Sequence, residues 1–413
     1  MDNLITAIDL GTSKVTVIIC EIDKNSHLQV IGVGSSPCEG IKKGVVVDIE
    51  ETSNAISNAL QQAENMADAE VDCAYVNIPG GYTRIIRNKG IIAVSGENRE
   101  INMDDVKRVL NSATIISMPQ DQQIIDIIPN QYIIDGYDEI KDPIGMVGVR
   151  LEADVQIVTG STTTILNLIK SVNSSGIDVL GIVPEPFSEA ESILSKDERE
   201  LGVLLIDMGA GTTDVSLFKN DQLVYSKLIP IAGSHITNDI SVGLRISYKE
   251  SEEIKKRYGI AYTPLAKDKD SIDINPIGMN EKVNITQSEL SEVIEARVSE
   301  IFDIINMELV RSGFKQDILT GVVITGGGAS YFPGIKELSK EIFNLPVRIG
   351  LPDSIGVKEP IFSTSLGLIK YSFKRKFNYF IEYNNVDAKK GKAKGNSNRN
   401  IFSLFKKMWE EYF

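Results

Sequence analysis

One structural unit is written twice in this chain. Leu4 to Cys20 reads LITAIDLGTSKVTVIIC, and about two hundred residues later Leu201 to Phe218 reads LGVLLIDMGAGTTDVSLF. Each copy is a β-rich run, then Asp-x-Gly, then a turn of small residues, then a second β-rich run. That order predicts a β-hairpin with a glycine-bearing loop. A single copy says no more than "tight hairpin". Two copies heading two halves of 413 residues weigh strongly against that plain reading.

The loop chemistry suits phosphate. Gly11, Gly209 and Gly211 let backbone N–H groups approach an anion with no Cβ between. Thr12, Ser13, Thr212 and Thr213 add hydroxyls, and Lys14 adds a positive charge. Asp9 and Asp207 fall at strand ends, where carboxylates can hold a hydrated Mg²⁺ between the loops. Neither loop is a Walker A sequence, and GAGTTD lacks the third glycine of a dinucleotide fingerprint. A third glycine turn, Gly326, Gly327 and Gly328, follows the apolar run Val322 to Thr325 and precedes a helix expected from about Pro333 to Phe343. Three glycines after a strand let a flat nucleoside lie against backbone; a plain strand–turn–helix junction is the simpler alternative.

These three elements, in this order, resemble the actin-like ATPase superfamily. The resemblance implies an α/β fold of two related domains around a nucleotide cleft, with ATP and Mg²⁺ as cofactors. It extends the binding set to Asp214, Gly233 and Ala329. IVPEPFSEAES, Ile182 to Ser192, is similar to the helix joining the domains, with Glu185 facing the cleft; Glu185 and Asp207 are the candidate water-positioning groups. IFSTSLGLIKY, Ile361 to Tyr371, is similar to the second connecting helix. ESEEIKKRYG, Glu250 to Gly259, resembles the helix whose Glu and Lys touch ribose and adenine, here Glu252 and Lys255, although a solvated charged helix end reads the same way.

Within that superfamily DPIGMVGVRLEADVQIVTG (Asp142 to Gly160) and SEVIEARVSEIFDIINMEL (Ser291 to Leu309) resemble the bacterial FtsA family. Members of that family polymerise, tether filaments of the tubulin-like FtsZ to the inner face of the cytoplasmic membrane and help recruit later division proteins. The resemblance implies ATP hydrolysis that is slow at most. The same fold also serves small-molecule kinases and activator ATPases, the alternative function. The implied first domain is 1–80 with 159–196 and 363–383, interrupted at 81–158 by an inserted subdomain for polymer and partner contacts. The second is 197–233 with 316–362, interrupted at 234–315 by an insertion on the adenine and FtsZ-tail side.

In the first insertion Met103 to Ala113 has a helical pattern, and QIIDII, QYIID and DVQIVT read as strands. In the second, Thr286 and Glu289 form a capping box before a stripe of Leu290, Val293, Ile294, Val298, Ile301, Phe302, Ile305 and Leu309, with Gly313 to close the helix. The resemblance places Arg297 and Arg311 near the groove for the FtsZ C-terminal tail. The polar run Ala266 to Lys282 reads as a mobile loop.

The tail is the other unusual feature. The net charge is −14, which argues against nucleic acid, yet residues 384–413 hold seven basic against three acidic side chains. An acidic body with a basic tail points the tail toward an anionic surface. Residues 384–400 lack periodicity and read as a disordered linker, with a root-mean-square span of roughly 20–25 Å. At about 100° per residue, Ile401, Phe402, Leu404, Phe405, Met408, Trp409, Tyr412 and Phe413 fill one half of a helix; Ser403, Lys406, Lys407, Glu410 and Glu411 fill the other. The helix would be about 20 Å long, too short to span a bilayer and suited to lie in its surface. Docking on the body or on a protein partner is the alternative.

The N-terminus lacks the basic and apolar regions of a signal peptide, and the three cysteines, Cys20, Cys38 and Cys73, have no disulfide-framework spacing. These point to a reducing cytosol, and the resemblance implies a peripheral protein on the cytoplasmic face of the membrane at the division site.

Overall fold

A computed structural model describes residues 3–96, 98–267, 271–279 and 281–375. The linker and the amphipathic segment expected at 384–413 lie outside those residues.

The echoed hairpins sit at the centres of two five-stranded sheets of the same order. In the first, the strands run in space as Asp178–Pro184, Cys73–Ile78, Leu4–Leu10, Lys14–Ile22, Leu28–Pro37. In the second they run as Val347–Ile349, Gly321–Thr325, Val203–Met208, Thr213–Lys219, Gln222–Ile229. In both, the first hairpin strand is antiparallel to the second and parallel to its other neighbour. Parallel neighbours require a crossover, and the crossovers carry the helices and both insertions. The fold is actin-like, and the duplication extends from the two loops to the whole sheet.

The first insertion forms a sheet ordered Thr83–Ala93, Arg150–Ser161, Gln122–Ile134, Tyr137–Ile140, with the helix Met103–Ala113 packed on it. QIIDII and QYIID are one continuous strand, not two. The ladder opposite slips register between Asp154 and Val155, which face Gln131 and Pro129, so the strand carries a bulge at Asn130, next to Pro129.

In the second insertion the Thr286 hydroxyl accepts from the Glu289 N–H at 3.2 Å, and the Glu289 carboxylate accepts from the Thr286 N–H at 2.7 Å. The helix Gln287–Ser312 then runs until Gly313, at φ 78°, turns it off. Its apolar stripe is core; Val293 alone is half-buried. The stretch read as a mobile loop is corrected in part. Ser271–Ile274 is a strand paired with Val283–Thr286, and Ile272 and Ile274 are buried. The two isoleucines alternate with Ser271 and Asp273, a period-two signal hidden by the polar residues around it.

The two halves meet on the helices Glu185–Ile193 and Ser363–Lys374. These cross so closely that a Cβ on Gly367 would lie 1.9 Å from the Ser188 carbonyl oxygen. One apolar cluster unites Ala7 and Ile18 of the first sheet with Leu205 and Val323 of the second through Phe187, Leu366 and Ile369. Burying that cluster fixes both hairpins against a shared support, with their tips facing each other.

Candidate functional site

Each hairpin tip is the same four-residue turn. The Gly11 N–H donates to the Lys14 carbonyl at 3.1 Å, and the Gly209 N–H to the Thr212 carbonyl at 2.9 Å. The tips touch: the Gly211 N–H donates to Thr12 Oγ1 at 2.8 Å. The third glycine turn locks onto the second hairpin. Gly328 donates its N–H to the Met208 carbonyl at 2.7 Å, and a Cβ there would sit 1.8 Å from the Gly209 carbonyl oxygen. Gly233, at the start of the helix Gly233–Leu244, donates to that same Gly209 carbonyl at 3.1 Å. Gly209, Gly211, Gly233, Gly326 and Gly328 therefore form one backbone concavity.

Other residues of the expected binding set are placed less uniformly. Gly327 is the exposed residue of its turn, and Ala329 lies fully buried behind it in the core of the second half. Ser13 is exposed, Thr212 is buried, and the Thr213 hydroxyl is spent on the Ile231 carbonyl at 2.8 Å.

Beneath the tips, Asp9, Glu185, Glu189, Asp207 and Asp214 converge. Asp207 and Asp214 are directly paired across the second hairpin, where Asp9 and Thr16 are paired in the first. Burial comes first in raising every one of these carboxyls. It lifts Asp9 to about 7, helped by the charge of Asp207 and opposed by Lys14. It lifts Asp214 to about 8, helped by Asp207 and opposed by the backbone amides of Gly80 and Gly81. Glu185 and Glu189 are held well above the usual carboxylate range by burial and by their acidic neighbours. Asp207 is raised by burial. The Lys14 ammonium is pulled below its ordinary range by burial, although Asp9 and Glu359 hold it up.

Two of these findings had no motif to announce them. Asn77, at the end of Cys73–Ile78, is 1% exposed. Its Oδ1 accepts the Leu10 N–H at 2.7 Å, and its Nδ2 donates to Asp9 Oδ1 at 2.9 Å and to Glu185 Oε1 at 2.6 Å. It thus orients both carboxylates. Glu189 was visible only as the i+4 neighbour of Glu185 on one helix face.

The group fits a divalent cation. Five clustered acids, with Lys14 opposing the charge on Asp9, cannot all ionise without compensation. Asp207 Oδ1 and Asp214 Oδ1 are buried with no hydrogen-bond partner among the described residues. Asp9 and Asp207 would hold Mg²⁺ through water, and the glycine concavity would hold phosphates.

On the side expected to hold the nucleoside, Lys255 is buried, and its ammonium reaches the Gly233 carbonyl at 3.0 Å, Thr237 Oγ1 at 2.7 Å and Glu252 Oε2 at 2.6 Å. All three donors are used, so Lys255 fixes the helix Tyr248–Tyr258 against the start of Gly233–Leu244. Glu252 also accepts from Thr237 at 2.5 Å and pairs with Lys256 at 3.1 Å. The two arginines differ. Arg297 grips Asp239 at 2.5 and 2.9 Å and pairs with Glu300, whereas Arg311 is 85% exposed.

Two family models match the chain. "Cell division protein FtsA" covers residues 204–367, and "SHS2 domain inserted in FTSA" covers 80–159. The chain is 43% identical over 371 residues to the cell division protein FtsA of Bacillus subtilis strain 168, covering 90% of this chain and 84% of that protein. It is 39% identical to the FtsA of Pseudomonas aeruginosa, covering 90% of each, and 31% identical to that of Escherichia coli K12, covering 89% and 90%. Among solved structures it is similar to a PilM-PilN type IV pilus biogenesis complex, with TM-score 0.60 and 13% identity, covering 90% of this chain and 99% of that one. It is similar also to MreB5 of Spiroplasma citri bound to ADP, with TM-score 0.53 and 18% identity, covering 90% and 95%. The structural likenesses bear on the fold alone.

Proposed function

This chain belongs to the FtsA family of cell-division proteins, and on that premise we propose that it binds ATP with Mg²⁺ between its two halves, polymerises, and tethers FtsZ filaments to the inner face of the cytoplasmic membrane through residues 401–413. In that role it helps recruit later division proteins. The observation that carries the nucleotide part is the meeting of two matching hairpin tips above five carboxyls, Glu185, Glu189 and Asp214 buried and Asp9 and Asp207 half-buried. MreB5, of like fold, has been solved with ADP and with AMPPNP.

The residues divide the work as follows. Gly11 to Lys14 and Gly209 to Thr212 present amides and hydroxyls from opposite sides. The Gly211 N–H, now on Thr12, would turn to a phosphate oxygen as the tips part. Lys14 meets the negative charge. Bound Mg²⁺ would neutralise charge on the phosphates and on the acids below them. Asn77 holds Glu185 toward the cleft, where its carboxylate can orient a water and take its proton. Burial and its acidic neighbours raise Glu185 well above the usual carboxylate range, so a cation that balances those neighbours would make it the better base. Hydrolysis on this arrangement is slow.

No helix among the described residues is long and apolar enough to cross a membrane. Attachment would then fall to the amphipathic 401–413. A helix so short is marginal in water and folds mainly on the lipid. One copy binds weakly, but a filament presents many, and linked contacts gain about 10²–10⁴ in avidity. A nucleotide that favours filaments would thereby control attachment. MamK, of like fold, has been solved as a double helical filament.

Electron microscopy and pelleting of the purified chain with ATP on anionic vesicles test this reading. Filaments on lipid are expected for the full chain. Deleting Asn400–Phe413 should leave ATP binding intact and abolish pelleting; retained pelleting would refute the anchor.

A further inference from the structure

The first inserted subdomain and the first half share two strands. Gln122–Ile134 and Arg150–Ser161 run from one body into the other, and the change of core falls between neighbouring residues. On the first strand Ile125 packs in the core of the first half, with Ile165 and Leu168, while Ile127 packs in the core of the insertion, with Val106 and Leu151. On the second, Ile157 belongs to the insertion and Val158 to the cluster that unites the halves. The ladder slips at the same place. Val158 faces Asp126 and Thr159 faces Ile124, so Ile125 is the additional residue of a bulge. A bulge bends its strand and interrupts pairing. The boundary between the two bodies is therefore a bend at Ile125–Ile127, with Asp126 at its centre.

The end of the helix Ser363–Lys374 meets Asp126 there. Asp126 Oδ1 accepts the Ile127 N–H at 2.8 Å, and its Oδ2 accepts the Tyr371 hydroxyl at 2.8 Å. The Arg375 guanidinium pairs with the same Oδ2, donates to the Tyr371 hydroxyl at 2.8 Å and donates to the Ile127 carbonyl at 2.5 Å. The Arg375 side chain is 13% exposed and that of Asp126 8%. Parting such a pair strands a charge out of water, so it opposes displacement of one body against the other. The same helix turn grips the helix Glu185–Ile193. The Tyr371 ring lies 6.1 Å from that of Phe187, and Lys374 pairs with Glu191. Glu185 and Glu189 of the cleft stand on that helix.

We propose that Asp126, Tyr371 and Arg375 form a latch at the hinge of the inserted subdomain, which fixes its orientation on the first half and joins it to the helix that carries Glu185 and Glu189. A moving domain takes up its rotation at a few irregular or element-terminal residues, and the bulge at Ile125 supplies them. While Arg375 holds both the Asp126 carboxylate and the Ile127 carbonyl, that bend is locked. A shift of the helix Glu185–Ile193 when nucleotide enters the cleft would carry Tyr371 and Lys374 with it, and through Arg375 the insertion. That last step rests on the nucleotide reading; the latch does not.

Hydrogen–deuterium exchange of the full chain, first without nucleotide, tests the latch. Arg375→Gln and Asp126→Asn should each speed exchange across residues 124–128 about tenfold. One helix from each body, Met103–Ala113 and Ile49–Ala67, should exchange as in wild type. Circular dichroism confirms folding, and Arg375→Lys, which keeps the charge but loses the planar fork, decides if the other two fail to fold. Unchanged exchange at 124–128 would overturn the latch. So would a rise spread evenly through both helices, as for an ion pair that only adds stability. Mg·ATP should then change exchange at 124–128 in wild type and not in Arg375→Gln. No change in wild type, or an equal change in both, would overturn the link to the cleft helix. Calorimetry on the same samples keeps the readings apart. Absence of ATP binding would remove the nucleotide reading and that link with it, while exchange without nucleotide still decides the latch.

Discussion

Asn77 is the residue on which the cleft can be tested most sharply. Asn77→Ala strips the Leu10 N–H of its acceptor and removes the donors to Asp9 and Glu185. A buried donor left unmet costs about 1–3 kcal/mol, and each hydrogen bond to an ionised group contributes about 1.5–3 kcal/mol. These do not sum, because both carboxyls can escape by taking up a proton. The expected loss near neutral pH is about 3 kcal/mol, large against a typical total of about 5–15 kcal/mol. Asn77→Asp separates geometry from charge. Protonated, it keeps the acceptor and one donor; ionised, it adds a sixth acid to the cleft. Its penalty should therefore be small near pH 5 and grow toward about pH 8, while that of Asn77→Ala changes little. Urea unfolding across that range, without nucleotide or divalent cation, reads the difference. Equal behaviour of the two variants at every pH, or an Asn77→Ala within about 0.5 kcal/mol of wild type, would refute the bridging role of Asn77.

The unliganded chain has its own pH dependence. The folded-state values of Asp9 and Asp214, about 7 and about 8, lie above the unfolded value of 3.8. The folded state thus holds extra protons between them, so stability falls as pH rises from about 4 to about 8. Thermal melts with Mn²⁺ in place of EDTA should flatten that decline. Gly328→Ala should abolish ATP binding in calorimetry, because its Cβ would meet the Gly209 carbonyl at 1.8 Å; Gly327→Ala should weaken it less, because its Cβ meets only the Ile361 side chain, at 2.6 Å. Arg297→Ala breaks a two-pronged pair with Asp239 and should lower stability by about 1–2 kcal/mol in denaturant unfolding. Arg311→Ala should stay within about 0.5 kcal/mol of wild type and weaken binding of an FtsZ-tail peptide in fluorescence anisotropy.

What the sequence discloses here follows from how local each feature is. The hairpin tips are legible because Asp-x-Gly and the residues around it carry both the turn and the chemistry within a few positions. Thr286, Glu289 and Gly313 mark a helix by contacts spanning one turn each. Asn77 carries no such mark. It matters because a parallel strand sets it beside Asp9, across 68 positions of chain, and beside Glu185, across 108. The sharing of one backbone concavity by Gly233, Gly209 and Gly328 is likewise a product of topology. Glu189 had a local cue in its spacing from Glu185, but only the packing of Ser363–Lys374 against that helix shows it to be buried rather than solvated. Lys255 was recognisable as a residue of interest, while its saturation by Gly233, Thr237 and Glu252 required the fold.

Calorimetric titration of the nucleotide-free chain with Mg·ATP most directly tests whether the two matching hairpins grip one triphosphate. One ATP per chain should bind, and Asp9→Ala or Gly209→Val should each remove the heat of association. No heat with the wild-type chain, or full binding in both variants, would contradict the nucleotide cleft.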